Sequence, residues 1–589
     1  MKKKVFALSA LVMACITMFA ACGGGGGNDS AGGGNGNTIT AKPLTVSELG
    51  AGFNEAYLPD ASSINQYSGK IDVCLDFEGT QSGWRALAEE YKRLQGGAVE
   101  VNINTIYAGS NYGLKLNTEL TNPNTDWDIV EGNLGYDSTY KYCIDMNAAI
   151  SSYNPYCGKD TQWINVLEKA AYTTKEADNS GKSIILNTEV MQTCWFINEV
   201  ALEKAGEEGY VNDSGEVAYP ETWDDLISLC GYMQDAGYSN PLGISLADAS
   251  VKSLQFSWLL RVYGDYYYRQ FYQYIMGGDK NSVWENYDET EEVVEINNGY
   301  GIRYAKLLNM LFVEDCDFGA GYVGFTSEVY RDFVTQLAKM KGYLMQNVTE
   351  SEFGDVRDKF ELQSDGMASP QIILDYQGFG INYEKATTNA FEVGYFDYPQ
   401  MISGKYTMGD KIGERIVPVT TLTRDIGGNG GFISVINHLG DNAQNELNKD
   451  FIKFVMSPYG QTIYYKGLAA NGDVPKGLSS VKNDLVVIPN EWKAYFEESN
   501  KTITFSGDVD ANPFLSWGVR YVGNEEKTSA IITECWQNLL APNRAASQVL
   551  IPETFASKWS QAVKIDMETC AYETNRWPKE FWLDPNYNL

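Results

Sequence analysis

IDVCLDF at residues 71–77, VEVNINTIY at 99–107 and DWDIVEGN at 126–133 are the stretches whose reading decides the fold. The first is a continuous apolar run bounded by Gly69 and Gly79, the pattern of a strand buried on both faces. The second alternates, and the third is a short apolar run ending in a glycine turn. Between the first two, Ser82 is placed to cap a helix carrying Trp84, Leu87, Tyr91 and Leu94 on one stripe. GLKLNTELT at 113–121 reads as a further helix. Strand, helix, strand, helix, strand is the order of a parallel α/β sheet. Such sheets hold ligands in the loops beyond the carboxyl ends of their strands, here 78–83 and 131–136.

Downstream of a DNSG turn at 178–181, SIILN (183–187) and QTCWFIN (192–198) read as strands. A helix is well marked from Pro220: Thr222 caps it, Asp225 stands three residues on, and Trp223, Leu226, Ile227, Cys230 and Met233 form its apolar face. Helical pattern continues to about Met345, interrupted by the acidic ENYDETEEVVEIN at 285–297, a solvated insertion. Strands return in MASPQIILDY (367–376), FEVGYFDYP (391–399) and GGNGGFISVIN (427–437). An amphipathic helix over 443–455 is stopped by Ser457 and Pro458, and the tail is helical in SAIITECWQNLL (529–540) and ETFASKWSQAV (553–563).

The amino terminus carries an address. Lys2, Lys3 and Lys4 precede the apolar VFALSALVMACITMFA at 5–20, and Ala20 and Ala21 lead into Cys22. This is the pattern of a secretory signal peptide over residues 1–21. It resembles the bacterial lipobox, with Phe19 where Leu is usual, which implies that Cys22 is lipidated. GGGGGNDSAGGGNGN follows at 23–37, and residues 22–66 are expected to form a flexible tether. No later run reaches the roughly 18 apolar residues of a spanning helix.

With 589 residues, the chain exceeds what one core holds, since cores stop growing near about 250–300 residues, so two large lobes are expected. The formal charge of −32 repels phosphate backbones and anionic lipid, so no nucleic acid is expected as a partner. Export permits disulfides, yet the cysteines after Cys22 form no CxxC pair and most sit in apolar runs, as buried thiols do. The single histidine, His438, reads as a solvated turn residue; alone it supplies neither a His-based triad nor an ordinary zinc site. No GxxxxGK[ST] run is present, and no metal or cofactor is expected.

The order of these segments resembles the extracellular solute-binding proteins of ABC importers, in the group that includes maltose-binding protein. The resemblance is carried by DWDIVEGN, WFINEVALEKAG (195–206), YPETWDDLISLCGYM (219–233), DGMASPQIILDY (365–376), GGFISVIN (430–437) and DFIKFVMSPYGQ (450–461). Ile197 stands where the family often places a sugar-touching aromatic, and Trp195 shares its strand face. The resemblance implies an α/β, two-lobed periplasmic-binding-protein-like fold, with a ligand cleft between lobes joined by a hinge of crossing strands. One lobe would take 67–188 and 378–455, the other 189–377 and 456–589. It implies a monomeric binding protein, not an enzyme, anchored at the cell surface, with a carbohydrate as ligand and ABC permease subunits as partners.

Sugars offer apolar C–H faces to aromatic rings and hydroxyls to carboxylates, amides and guanidinium groups, so a sugar cleft combines these parts. The 39 Tyr and 13 Trp of the chain supply the rings in abundance. The candidate ligand-binding residues follow strands or sit at the implied hinge: Glu78, Gln81 and Trp84 in and after the first loop, and Asn133 and Tyr136 after DIVEG. Trp195 lies on a crossing strand, and Trp258 and Arg261 share a helix face. Asp375 and Tyr376 end a strand, Gly430 and Gly431 bring backbone close, and Trp517 stands in irregular sequence. Core packing is the competing reading for each tryptophan, and a simple turn for Asn133, Gly430 and Gly431. Two other functions stay open: a secreted glycoside hydrolase, which needs only two carboxylates, and a binding protein for peptides or another non-sugar solute.

Overall fold

Two sheets carry the fold, each assembled from pieces far apart in the chain. The computed structural model describes residues 42–75, 80–105, 110–122, 124–131, 142–168, 171–172, 183–191, 193–248, 251, 255–277, 324–380, 383, 391–401, 405, 411–412, 415–416, 428–429, 431–475, 477–490, 492–493 and 529–574. In chain order the strands are β1 (Gly69–Leu75), β2 (Val99–Thr105), β3 (Ile129–Glu131), β4 (Ile185–Asn187), β5 (Glu189–Met191), β6 (Thr193–Asn198), β7 (Leu242–Gly243), β8 (Ile372–Tyr376), β9 (Val393–Phe396), β10 (Lys411–Ile412), β11 (Arg415–Ile416), β12 (Gly428–Asn429), β13 (Phe432–Val435) and β14 (Gly477–Ser479).

The first sheet has the order β2-β1-β3-β13-β4. β1 is parallel to β2 and β3, as the strand–helix alternation predicts, while β13 returns antiparallel between β3 and β4. The helix Gln81–Leu94 buries the expected stripe of Trp84, Leu87, Tyr91 and Leu94. It begins after Thr80, so Ser82 is not its cap; the Ser82 hydroxyl instead donates to Asp473. The second sheet, β7-β8-β6-β9, is mixed. The helix Trp223–Asp235 starts at Thr222 as predicted, with the Thr222 side chain and Asp225 capping each other reciprocally. β10 and β11 form a separate two-stranded ribbon.

A third, narrow sheet of order β12-β5-β14 joins the two. Residues 185–198 run as β4, β5 and β6 from the first sheet through this ribbon into the second, and β12 leads back into β13. The pairings move two of the expected lobe boundaries. β9 lies beside β6 in the second sheet, so the chain has not returned to the first lobe by residue 378; it does so at β12. The segment 456–479 also stays with the first lobe and the ribbon. Pro458 is not only a stop: Ser457 Oγ accepts from the Gly460 amide and a new helix, Pro458–Asn471, starts with proline at a position that needs no N–H. That helix lies on Gln81–Leu94 where Gly83 meets Tyr464 and Gly467 meets Ala86. Among the described residues of this stretch, the helices Ser529–Leu540 and Pro552–Thr574 join the second lobe, through Trp536 against Phe256 and Trp559 against Phe325.

The tether is shorter than expected. Residues 42–66 are packed, with Leu49, Phe53 and Ile64 buried. Lys42 O accepts from Arg93 at 2.7 Å, Leu44 N donates to Tyr459 at 2.8 Å, and Tyr153 donates to Asp60 at 3.0 Å. These strap the segment onto the first lobe. Cys74, Cys143, Cys157, Cys194, Cys230 and Cys535 are buried, as read from their apolar surroundings. Burial pushes the Cys74 and Cys143 thiols up to about 12. No helix among the described residues is long and apolar enough to cross a membrane.

His438 is not a solvated turn residue. Its ring is largely buried and Nε2 lies 2.8 Å from Asp128 Oδ1, a contact that raises its pKa. The carboxylate of Asp128 also accepts from Gln444, Asn448 and the Asp72 amide. A second buried acid, Asp450, accepts from the hydroxyls of Tyr91 (2.7 Å) and Tyr156 (2.6 Å). Burial raises Asp450 from 3.8 to about 6, against the lowering effect of those hydroxyls and of Lys453. The folded state therefore binds more protons at this site than the unfolded state between those values, and the contribution of Asp450 to stability falls as pH rises from about 4 to 6. Asp450→Asn keeps an acceptor for both tyrosines and removes the titration. Melting curves at pH 4, 5, 6 and 7 are expected to show the variant gaining on the wild type with rising pH; parallel profiles would contradict this reading.

Candidate ligand-binding site

The register places the carboxyl ends of both sheets at the joining ribbon. In the first sheet β1, β2 and β3 end at Leu75, Thr105 and Glu131, and β4 ends at Asn187, two residues before β5 begins. In the second, Tyr376 at the end of β8 pairs with Thr193, which follows β5 across residue 192. Loops beyond strand ends are where α/β sheets take ligands, so the candidate site is the junction where these two edges meet.

On the first-lobe edge, Glu131 lies opposite Ile433 and Asn187 opposite Phe432, both side chains buried. Gly431 joins them: its carbonyl accepts from the Thr188 amide at 2.8 Å, and its own amide lies 3.4 Å from Asn187 Oδ1. A Cβ on Gly431 would collide with the Thr188 hydroxyl, so the close approach of the neighbouring chain leaves no room for a side chain here. Glu189, buried on β5, accepts from the Tyr464 hydroxyl at 2.5 Å. Burial, reinforced by the charges of Glu189 and Glu131, holds that hydroxyl well above its usual pKa, so it stays a donor. Gln81 is half-buried and donates to Thr105 at 2.7 Å, tying the start of its helix to the end of β2.

On the second-lobe edge, Asp375 is fully buried and engaged by protein. Arg357 donates to it through Nε at 2.6 Å and Nη2 at 2.7 Å, the Tyr376 amide donates at 2.6 Å, and the Tyr383 hydroxyl donates as well. The Arg357 guanidinium lies 3.6 Å from the Phe379 ring centre and 4.3 Å from that of Phe353. Tyr376, half-buried, packs on Trp258 with ring centres 4.9 Å apart. Asp375 thus orders the strand end, and Tyr376 is the residue of the pair with surface to offer.

The tryptophans follow the core reading. Trp84, Trp195 and Trp258 are all buried; Trp195 stacks on Phe396 at 6.2 Å and 5°. Arg261, three residues after Trp258 on the helix Gln255–Gly277, is buried rather than solvated. Every tryptophan among the described residues is buried, so the aromatic surface at this edge comes from Tyr376 and Phe379. Glu78, Asn133, Tyr136, Gly430, Trp517 and the lipidation position Cys22 lie outside the described residues. Asn187, Glu189, Arg357, Gln377 and Tyr464 were not anticipated. Asn187 and Glu189 straddle the end of SIILN, a position that marks a crossing strand; nothing local marks the others. Among the described residues no group of three or more His, Cys, Asp or Glu is placed to hold a metal ion.

Two sheets joined by a narrow crossing ribbon make up a two-lobed, periplasmic-binding-protein-like fold. Among solved structures, the chain is similar to a chitin oligosaccharide binding protein, with 16% identity, 85% of this chain and 99% of that chain covered, and a TM-score of 0.51. It is also similar to a structure from work on xylan utilization by the thermophilic bacterium Caldanaerobius polysaccharolyticus, with 11% identity, 84% and 99% covered, and a TM-score of 0.51. No protein-family model and no curated protein sequence matches the chain.

Proposed function

We propose that this protein is a lipid-anchored extracellular solute-binding protein that captures a carbohydrate, an oligosaccharide, and delivers it to an ABC transporter permease. The observation that carries the reading is the meeting of the two sheets' carboxyl ends at one crossing ribbon, in a fold shared over 85% of the chain with a chitin oligosaccharide binding protein. A ligand touching both edges binds the closed arrangement better than the open one and shifts the population toward it. The signal peptide, Cys22 and the glycine-rich stretch after it support surface anchoring. The protein is read as a binder, not an enzyme: Asp375 is held by Arg357 and Glu189 by Tyr464, arrangements that fix geometry and leave neither in a proton-transfer pair.

The test is a thermal-shift screen on a soluble form beginning at Thr38, against mono- and oligosaccharides including chitin- and xylan-derived chains, with calorimetry on each hit. Ligand at about 100 times its Kd stabilises the folded state by about 2.7 kcal/mol, a clear shift. One-to-one binding with the ligand recovered intact is expected. Cleaved ligand would replace this reading with a glycoside hydrolase, and no shift across the panel would end the carbohydrate assignment.

A further inference from the structure

Among the described residues several buried side-chain polar atoms lack a hydrogen-bond partner, and three of them lie on the two strand-end edges. Gln377 Oε1, Asn187 Nδ2 and Thr80 Oγ1 each lack a hydrogen-bond partner among the described residues, in side chains only 1%, 0% and 2% exposed. Asn187 closes β4 at the first-lobe edge, Thr80 opens the helix that follows β1 on the same edge, and Gln377 follows β8 at the second-lobe edge. Unpartnered atoms elsewhere include the indole N–H groups of Trp195, Trp536 and Trp559, which are wrapped in aromatic rings. An amide atom left unpaired in a buried site is costly, so a site that keeps one on each side of the lobe junction has a partner for it in another state.

We propose that Asn187 and Gln377 are the polar ligand contacts of the two lobes: the Asn187 amide N–H donates to, and the Gln377 carbonyl oxygen accepts from, hydroxyl groups of one bound saccharide. This rests on the carbohydrate reading above. The orientation of Asn187 is set by its Oδ1, which faces the Gly431 amide at 3.4 Å and leaves Nδ2 as the spare donor. Gln377 is placed at the lobe junction because the next residue, Gly378, abuts the Pro475 carbonyl of the segment entering β14. One neutral donor and one neutral acceptor match a hydroxyl-bearing ligand, since a hydroxyl both gives and takes a hydrogen bond, and they offer no counter-charge to an ion. Because the amides belong to different lobes, a single chain of hydroxyls held by both favours closure.

The experiment uses Gln377→Met, which removes the spare acceptor at similar volume, and Asn187→Asp, which keeps the acceptor for Gly431 and removes the donor. Melting is measured without ligand, and affinity is measured by calorimetry with whichever of maltotriose, xylotriose, mannotriose and chitotriose binds the wild type best. Gln377→Met is expected to leave the ligand-free melting temperature unchanged or raise it, and each variant is expected to weaken binding at least tenfold. A lower ligand-free melting temperature for Gln377→Met with unchanged affinity would overturn the proposal, because it would mean that the oxygen serves the fold. Unchanged melting and unchanged affinity would overturn it too. The ligand-free arm needs no sugar: a raised melting temperature in a protein that binds none of the four would reject the carbohydrate class while supporting the spare acceptor.

Discussion

Replacing Arg357 by Ala is expected to destabilise the protein by about 3–5 kcal/mol, the typical effect of stranding one member of a buried ion pair. Asp375 is fully buried and takes two hydrogen bonds from Arg357; without them a carboxylate sits in the protein interior with only the Tyr383 hydroxyl and the Tyr376 amide. The loss also removes the cation lying over Phe353 and Phe379, so those rings lose their spacer. Urea unfolding followed by tryptophan fluorescence measures the change. The double variant Arg357→Met with Asp375→Asn is expected to recover part of it, since replacing both members is milder than removing one. A loss under about 1 kcal/mol for the single variant would mean that water reaches the pair and screens it.

Gly378→Ala is expected to weaken ligand binding about tenfold or more while lowering stability by about 1–3 kcal/mol, the range for forcing extra volume into a packed site. The added Cβ, fixed by its own backbone, would run into the Pro475 backbone carbonyl oxygen, and neither atom has a rotamer to change. The clash lies where the second lobe meets the ribbon, so separating the two segments relieves it and the open arrangement gains population. Calorimetry with the bound sugar reads the affinity, and small-angle scattering of the ligand-free protein reads the opening. Gly354→Ala, where a Cβ meets open space in the helix Phe353–Leu362, is the control and is expected to change neither. Unchanged affinity in Gly378→Ala would show that the junction tolerates the shift without coupling to the cleft.

How far the sequence leads depends on the length of the element. β1, β2 and the helices after them repeat their pattern over enough residues to be read, and Thr222 with Asp225 marks a helix start by direct chemistry. β5, β12 and β14 are two or three residues each, too short for any periodicity, yet they form the ribbon that fixes the lobe boundaries. The segment 42–66 looks like linker because its apolar residues are sparse; its burial comes from partners such as Arg93, Tyr153 and Tyr459, far along the chain. The site is legible as a place and not as a set of residues. Strand ends point to Asp375 and Tyr376, but Arg357 sits on a helix and Tyr464 lies 275 residues from the Glu189 it serves. Abundant tryptophan invites a sugar platform, and packing takes every described one into the core.

The strap that fastens residues 42–66 also decides how a pull on the chain is shared. Lys42 and Leu44 are bonded to Arg93 and Tyr459, both carried by first-lobe helices. A load applied upstream of Lys42 is therefore taken up by one lobe and passes into its sheet without crossing the ribbon. The second lobe then carries none of that load, so under the proposed function closure on a ligand would proceed alike in a protein held taut and in one adrift.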